Sequence, residues 1–362
     1  MIIRYSIILF SLFFVGNARA QQISIDIDLE SAQAIVNLLK QANETVPEEE
    51  LTRVSQLYGN QQLIQKVKGY SGADSTVFKS TLRQLLETGD IVGDDPYEWK
   101  RVQGGLSKIQ NLINSISQDQ QAFEDDISQR IQSYTPSSIN LHARACLLVG
   151  GGSLGFTIGD SQTFNVALHP IGDDIEGLKV LMAHELYHNV QSEGYGQRAR
   201  SLESKPSFNE KATYALLYQL YSEGVANFVG DFTKIENPGP FSQEQIDLYI
   251  KNEKRMRTSF YLLETVLYHA YHNPKTSYGQ LYNIGFTTEF EEVFYGVGYE
   301  MAKQLAAHDG PIALTELVVQ DPIRFIHNYI QLYKENPEKN LVTFSEDTEE
   351  LISKMMHWEN AI

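Results

Sequence analysis

The sequence predicts an α+β fold that is mostly α, with a short β-sheet or hairpin directly ahead of a long helix. Three observations carry this prediction. Apolar residues recur at three- and four-residue spacings through most of the chain, the period of a helix with one buried face. A single block, residues 138–168, breaks that rhythm with β-branched and aromatic runs around Gly150-Gly151-Gly152. The helical rhythm then resumes with Val180-Leu181-Met182-Ala183-His184-Glu185-Leu186-Tyr187-His188.

Residues 1–20 have the plan of an export signal. Arg4 supplies the positive start, 7–15 an apolar stretch, and Ala18-Arg19-Ala20 a small-x-small cleavage site. The mature chain is expected to begin at Gln21, in the periplasm or outside a bacterial cell. The apolar run is too short to span a bilayer, and nothing later is long and apolar enough to do so, so no membrane insertion is expected after cleavage.

Residues 21–137 are expected to form a helical subdomain. Leu29, Ala32, Ile35, Val36 and Leu39 mark its first helix, with similar patterns near 48–58, 61–67, 75–86, 97–116 and 122–134. Gly59-Asn60, residues 69–72 and 89–96, and Thr135-Pro136 separate them. No fixed-period repeat and no catalytic constellation occur here.

Residues 138–362 are expected to form the second domain. Residues 139–149 and 153–168 read as strands, with Gly159-Asp160 as a turn. An edge strand in this place could pair with an extended peptide. His169-Pro170 ends the block, and His169 reads as a loop residue without a role. Cys146 is the only cysteine, so no intramolecular disulfide exists, and its apolar neighbours mark it as a buried structural thiol.

The following helix carries the chemistry. Asp173 is a fitting N-cap, with Glu176 three residues on to complete a capping box. Ile175, Leu178, Leu181, Leu186 and Val190 face a core. His184 and His188, four apart, leave one helix face and can hold a single Zn²⁺, and Glu185 stands beside them within reach of water. Ser192 to Asn209 then reads as a polar, locally basic loop.

A catalytic zinc takes three protein ligands and keeps one position for water. Glu223, in Tyr221-Ser222-Glu223-Gly224-Val225-Ala226, is a carboxylate in an apolar and aromatic helical run at 211–230. Such a group needs a partner, and a metal is a good one. Gly224 and Ala226 fit close approach to the zinc helix. A third histidine six residues after His188 would mark the metzincin pattern, but Gly194 stands there. Glu193 and Asp231 are weaker ligand candidates, the first too near along the chain, the second two turns beyond Glu223.

Helical patterns fill the remainder: 242–272, rich in tyrosine, then 289–308, 311–319, 322–333 and 346–357. Tyr295 and Tyr299 lie one turn apart, so either phenol could donate to an oxyanion formed beside the metal.

His184-Glu185-x-x-His188 followed by Glu223-Gly224-x-Ala226 resembles the gluzincin peptidases. More closely it resembles bacterial domain-of-unknown-function families described as zinc-dependent peptidases, in which a Tyr-x-x-Gly-Tyr segment follows; here that is Tyr295-Gly296-Val297-Gly298-Tyr299. The resemblance covers about 139–310. It implies a zincin-like metallopeptidase domain, one zinc per chain and peptide-bond hydrolysis. Thermolysin-like relatives place an Asp one turn after the ligand Glu; this chain has Asn227.

The expected activity is therefore an exported zinc metallopeptidase. His184, His188 and Glu223 are its ligands, Glu185 its general base, and Tyr295 or Tyr299 its oxyanion donor. A zinc amidohydrolase acting on a non-protein amide, and a non-catalytic binding or scaffold protein with a vestigial metal site, are the alternatives. The net charge is −17 and becomes about −19 once Arg4 and Arg19 are removed (−17 − 2). That argues against nucleic acid and anionic membrane as partners; the peptide or protein substrate is what the resemblance implies.

Overall fold

The computed structural model describes residues 23–41, 45–158, 162–198 and 205–362. The export signal, the Gly159-Asp160 turn and Arg200 lie outside the described residues. The fold is α+β and mostly helical.

Strand β1 (Ile23–Asp28) opens the described chain, and seven helices follow: α1 (Glu30–Leu39), α2 (Glu48–Ser55), α3 (Tyr58–Ser71), α4 (Ser75–Thr88), α5 (Trp99–Gly104), α6 (Leu106–Gln118) and α7 (Gln120–Gln132). Strands β2 (Leu141–Leu148), β3 (Gly155–Phe156) and β4 (Thr163–Ala167) come next. Helices α8 (Ile175–Gln197), α9 (Phe208–Val229), α10 (Pro240–Lys254), α11 (Met256–His272), α12 (Tyr278–Phe286), α13 (Val293–Asp309), α14 (Ile312–Leu317), α15 (Ile323–Glu335) and α16 (Glu346–Met355) complete it.

The sheet order is β1-β2-β4-β3. β1 runs parallel to β2, with Ile23 opposite Leu141 and Asp28 opposite Cys146. β2 runs parallel to β4, and the two-residue β3 closes the far edge antiparallel to β4. This corrects one expectation: residues 21–137 are not wholly helical, because Ile23, Ile25 and Ile27 alternate inward as a strand. Of the short sheet or hairpin expected over 139–149 and 153–168, the sheet is what forms, with only β3 and β4 antiparallel. Parallel strands need a long crossover, and helices α1–α7 supply it between β1 and β2.

One continuous set of buried apolar side chains runs from Ile23 to Met355. Phe78, Tyr97 and Trp99 form its aromatic knot among the first helices, with ring centroids 5.0–5.5 Å apart. Cys146 is buried, and burial, with Asp28 nearby, pushes its thiol up to about 12. It is inert structural sulfur.

Helix α8 is buried on nearly every side. Its N-cap is Asp174, one residue later than expected. The Asp174 carboxylate accepts from Gly177 N–H at 2.9 Å and from Ser242 N–H at 2.8 Å, tying the start of α8 to α10. Asp173 instead faces Lys108. At its other end α8 continues to Gln197, through the residues expected to be loop. Gly194 does not break it: a Cβ there would stand 2.2 Å from the Val318 carbonyl oxygen, so this glycine marks close packing, not a turn.

Helix α9 starts at a capping box in which Ser207 and Glu210 satisfy each other's backbone N–H. The single helix expected over 242–272 is two helices, α10 and α11. They part at Arg255, whose guanidinium turns back to Asn252 and across to Glu291.

Helix α13 lies directly on α9. A Cβ on Gly224 would be 2.3 Å from Gly298 Cα, and one on Gly298 would be 2.5 Å from the Leu220 carbonyl oxygen. The two backbones touch where any larger residue would force them apart. That crossing sets Tyr295, one turn from Gly298, over the part of α9 that carries Glu223.

Candidate metal centre

The helical period of α8 stacks His184 on His188, with ring centroids 4.7 Å apart. Helix α9 brings Glu223 to both. His184 Nε2 and His188 Nε2 are 3.1 Å apart, and Glu223 Oε2 is 3.6 Å from the first and 3.3 Å from the second. Four donors about 2.0–2.1 Å from one tetrahedral zinc lie about 3.3–3.4 Å from each other. The three edges found here average that value, so two imidazoles and a carboxylate form one face of a zinc-sized tetrahedron. Among the described residues this is the one group of three or more His, Cys, Asp or Glu side chains so gathered.

Neighbouring groups aim these donors. His188 Nδ1 meets Gln191 Oε1 at 2.9 Å, while Gln191 Nε2 donates to the Ser222 carbonyl at 3.1 Å and Ser222 Oγ donates to Gln191 Oε1 at 3.2 Å. Gln191 is thereby held with its oxygen toward the ring, which puts the proton on Nδ1 and leaves Nε2 to bind a metal. Gln219 Nε2 donates to Glu223 Oε1 at 3.1 Å, leaving Oε2 for the histidines. Sequence reading missed Gln191 and Ser222. Their signal was position alone, one turn after His188 and immediately before Glu223. Asn227 lines the cleft and takes no part in holding His188.

The three groups act on one another electrostatically. Burial pushes the Glu223 carboxyl up, but His188 and His184 outweigh it and hold the group well below the usual carboxylate range. Burial pulls His188 down, yet Glu223 overrides it and raises His188 to about 9.

A cleft of about 380 Å³ opens on the His184 and Glu185 side of this group. Glu185 is partly exposed to it. Burial raises the Glu185 carboxyl above its ordinary value, with the two histidines opposing and Glu223 adding to the rise. Strand β3 forms the adjoining wall. A Cβ on Gly155 would stand only 2.0 Å from Glu185 Oε1, so Glu185 lies flat against the edge strand because glycine is there.

The two tyrosines separate. Tyr295 is half-buried, lines the cleft and lies near enough to Glu223, Glu292 and Glu185 to feel their charge; burial and these carboxylates keep its phenol protonated. Tyr299 is buried deeper and donates to Asp231 Oδ2 at 3.0 Å. Asp231 also accepts from Thr233 N–H and Oγ1 and pairs with Lys234, so it is committed away from the metal group. His169 is structural: it accepts from Gly150 N–H at 3.1 Å and meets Glu98 at 3.2 Å.

One further carboxylate, unmarked in the sequence analysis, lines the cleft. Glu292 precedes α13 with φ +51°, next to Glu291 at φ +64°. Burial, and then Glu223, raise its carboxyl above the usual value.

A family model described as "Putative zinc dependent peptidase (DUF5700)" matches residues 51–338. That span covers both histidines, Glu185, Glu223 and both tyrosines. No curated protein and no solved structure matches.

Proposed function

The chain belongs to this family of zinc-dependent peptidases, and from that premise we propose that it is an exported, gluzincin-type zinc metallopeptidase with a zincin-like catalytic domain. The observation that carries the reading is the placement of three donors at zinc spacing with a carboxylate beside them and a cleft in front.

His184, His188 and Glu223 would hold one zinc per chain. When bound, zinc supplies Lewis acidity, making water a stronger acid and drawing charge from a carbonyl oxygen. Glu185 is the general base. Its raised carboxyl suits it to take a proton from the attacking water and pass it to the leaving amine. Tyr295 fits the oxyanion donor better than Tyr299, because it lies within electrostatic reach of Glu223 and Glu185 while the hydroxyl of Tyr299 is held by Asp231. Strand β3 is an edge strand, and its Gly155, with residues 152–154 leading into it, lines the cleft beside Glu185. A peptide in extended form could add to that edge and lay its scissile bond across the base.

No helix among the described residues is long and apolar enough to cross a membrane. Export rests on the leader pattern of residues 1–20.

Two measurements test the proposal. Purified protein should carry about one zinc, with retention sharply weakened in Glu223→Ala. Glu185→Gln should keep the zinc and lose peptide cleavage. Correctly folded protein that takes up no zinc would remove the peptidase reading and leave the scaffold alternative in front.

A further inference from the structure

The cleft has a charge that the chemistry above does not use. Glu292 lines it, and among the described residues its carboxylate makes no hydrogen bond or ion pair. Its neighbour Glu291 is a useful contrast. Both adopt left-handed backbone, which disfavours any residue but glycine. Glu291 is fixed there by Lys251 and Arg255. Glu292 has no such partner among the described residues and lines the cavity instead. A strained, half-buried carboxylate without a partner among the described residues is what a site awaiting a charged ligand looks like.

The rest of the cleft agrees. None of its lining residues is Lys or Arg. Two nearby cations are already engaged: Lys234 pairs with Asp231, which also lines the cleft, and Lys66 stands over the Phe156 ring. His184 and Glu185 share the same cavity with Glu292, so a ligand held at Glu292 lies alongside the reacting position.

We propose that Glu292 is a specificity-determining residue that binds a positively charged group of the substrate, either a free amino terminus or a Lys or Arg side chain. The choice of a peptide as carrier rests on the peptidase reading. The ion pair forms in ground state and transition state alike, so it acts on KM more than on kcat.

The test uses the zinc-loaded chain and matched peptides: one with a free amino terminus, its acetylated form, and acetylated forms with Lys or with Leu at each inner position. Cleavage is followed in the wild type, Glu292→Gln and Glu292→Lys. Binding of the same peptides is measured separately in the non-cleaving Glu185→Gln background, with and without Glu292→Gln. Cationic peptides should be preferred about tenfold or more, through KM. Glu292→Gln should abolish that preference, and Glu292→Lys should reverse it in favour of the neutral peptides. Preference for the free terminus over its acetylated form assigns the amine; preference for Lys over Leu assigns the side chain.

Equal handling of cationic and neutral peptides by the wild type, a preference that survives Glu292→Gln, or binding of no peptide at all would each overturn the inference. A chain that cleaves nothing yet binds cationic peptides through Glu292 would retire the peptidase reading and keep the inference. A chain that cleaves neutral and cationic peptides alike would do the reverse. Glu292→Gly adds a signature that a purely structural residue would not give: charge preference is lost while Tm rises, by about 2 °C, because glycine accepts the left-handed backbone.

Discussion

Replacing Gly298 by alanine tests whether the α9–α13 crossing positions the site. In an unencumbered helix the change would stabilise by about 1 kcal/mol. Here the new Cβ would stand 2.5 Å from the Leu220 carbonyl oxygen and 2.6 Å from Gly224 Cα. Ordinary contacts between such atoms fall at about 3.5–4.0 Å, so one helix must retreat by roughly 1 Å. Both obstacles are backbone, with no flexible side chain to yield. Overpacking of this kind costs about 1–3 kcal/mol, and the upper end applies. Against the helical gain, a net loss of about 1–2 kcal/mol is expected in urea unfolding. The functional loss should be out of proportion. All three proposed ligands are on α8 and α9, so zinc stays; Tyr295 is on α13 and moves with it. A misplacement of about 1 Å at a catalytic group costs about 10²-fold in rate. Zinc content near one per chain, a small drop in stability and a large drop in kcat is the expected pattern. Higher stability with unchanged turnover would refute the claim that this contact sets the geometry.

Gly155→Ala should separate the base from the metal: its Cβ would collide with the mobile end of Glu185, 2.0 Å away, so stability and zinc content hold while cleavage falls at least tenfold, and full activity would show that Glu185 need not lie against β3. Gln191→Leu removes the acceptor that orients His188; zinc affinity by competition with a chelator should weaken about 10–100-fold, and an unchanged affinity would deny Gln191 that role. His169 gives a pH signature. Burial lowers its pKa below the unfolded value, with Glu98 opposing only in part. Below about pH 6.5 the unfolded chain therefore binds a proton that the folded chain does not, and stability falls with acid until the folded pKa is reached, by at most about 1.4 kcal/mol per pH unit. His169→Gln should flatten that part of the urea-unfolding profile between pH 7.5 and 5; identical slopes would locate the acid sensitivity elsewhere. Asp174→Ala removes the acceptor of two buried backbone N–H groups, and a loss of about 1–3 kcal/mol is expected in the same assay; a neutral result would mean that water replaces the carboxylate.

What the sequence made legible follows from the range of each interaction. His184 and His188 are four residues apart on one helix, so local periodicity alone places their rings together. Glu223 was readable for a different reason: a carboxylate in an apolar helix must find a partner. The errors cluster where a distant segment decides the outcome. Ile23, Ile25 and Ile27 alternate like a strand, but only Leu141 to Cys146, more than a hundred residues away, gives their backbone a ladder. The end of α8 read as loop because the Val318 carbonyl that packs against Gly194 lies far along the chain. Tyr295 and Tyr299 were equivalent in the sequence, and Asp231 separates them only once α13 is laid on α9. Glu292 was hidden most completely. An acidic residue just before a helix is the ordinary way to complement the helix dipole, so nothing local distinguishes Glu292 from Glu291. What distinguishes them is tertiary: Lys251 and Arg255 neutralise one, and no side chain among the described residues neutralises the other. The proposed metal ligands answer to one another and could be read from their own pattern. A residue that answers to the substrate has its partner outside the chain, and only the shape and charge of the folded cleft can reveal it.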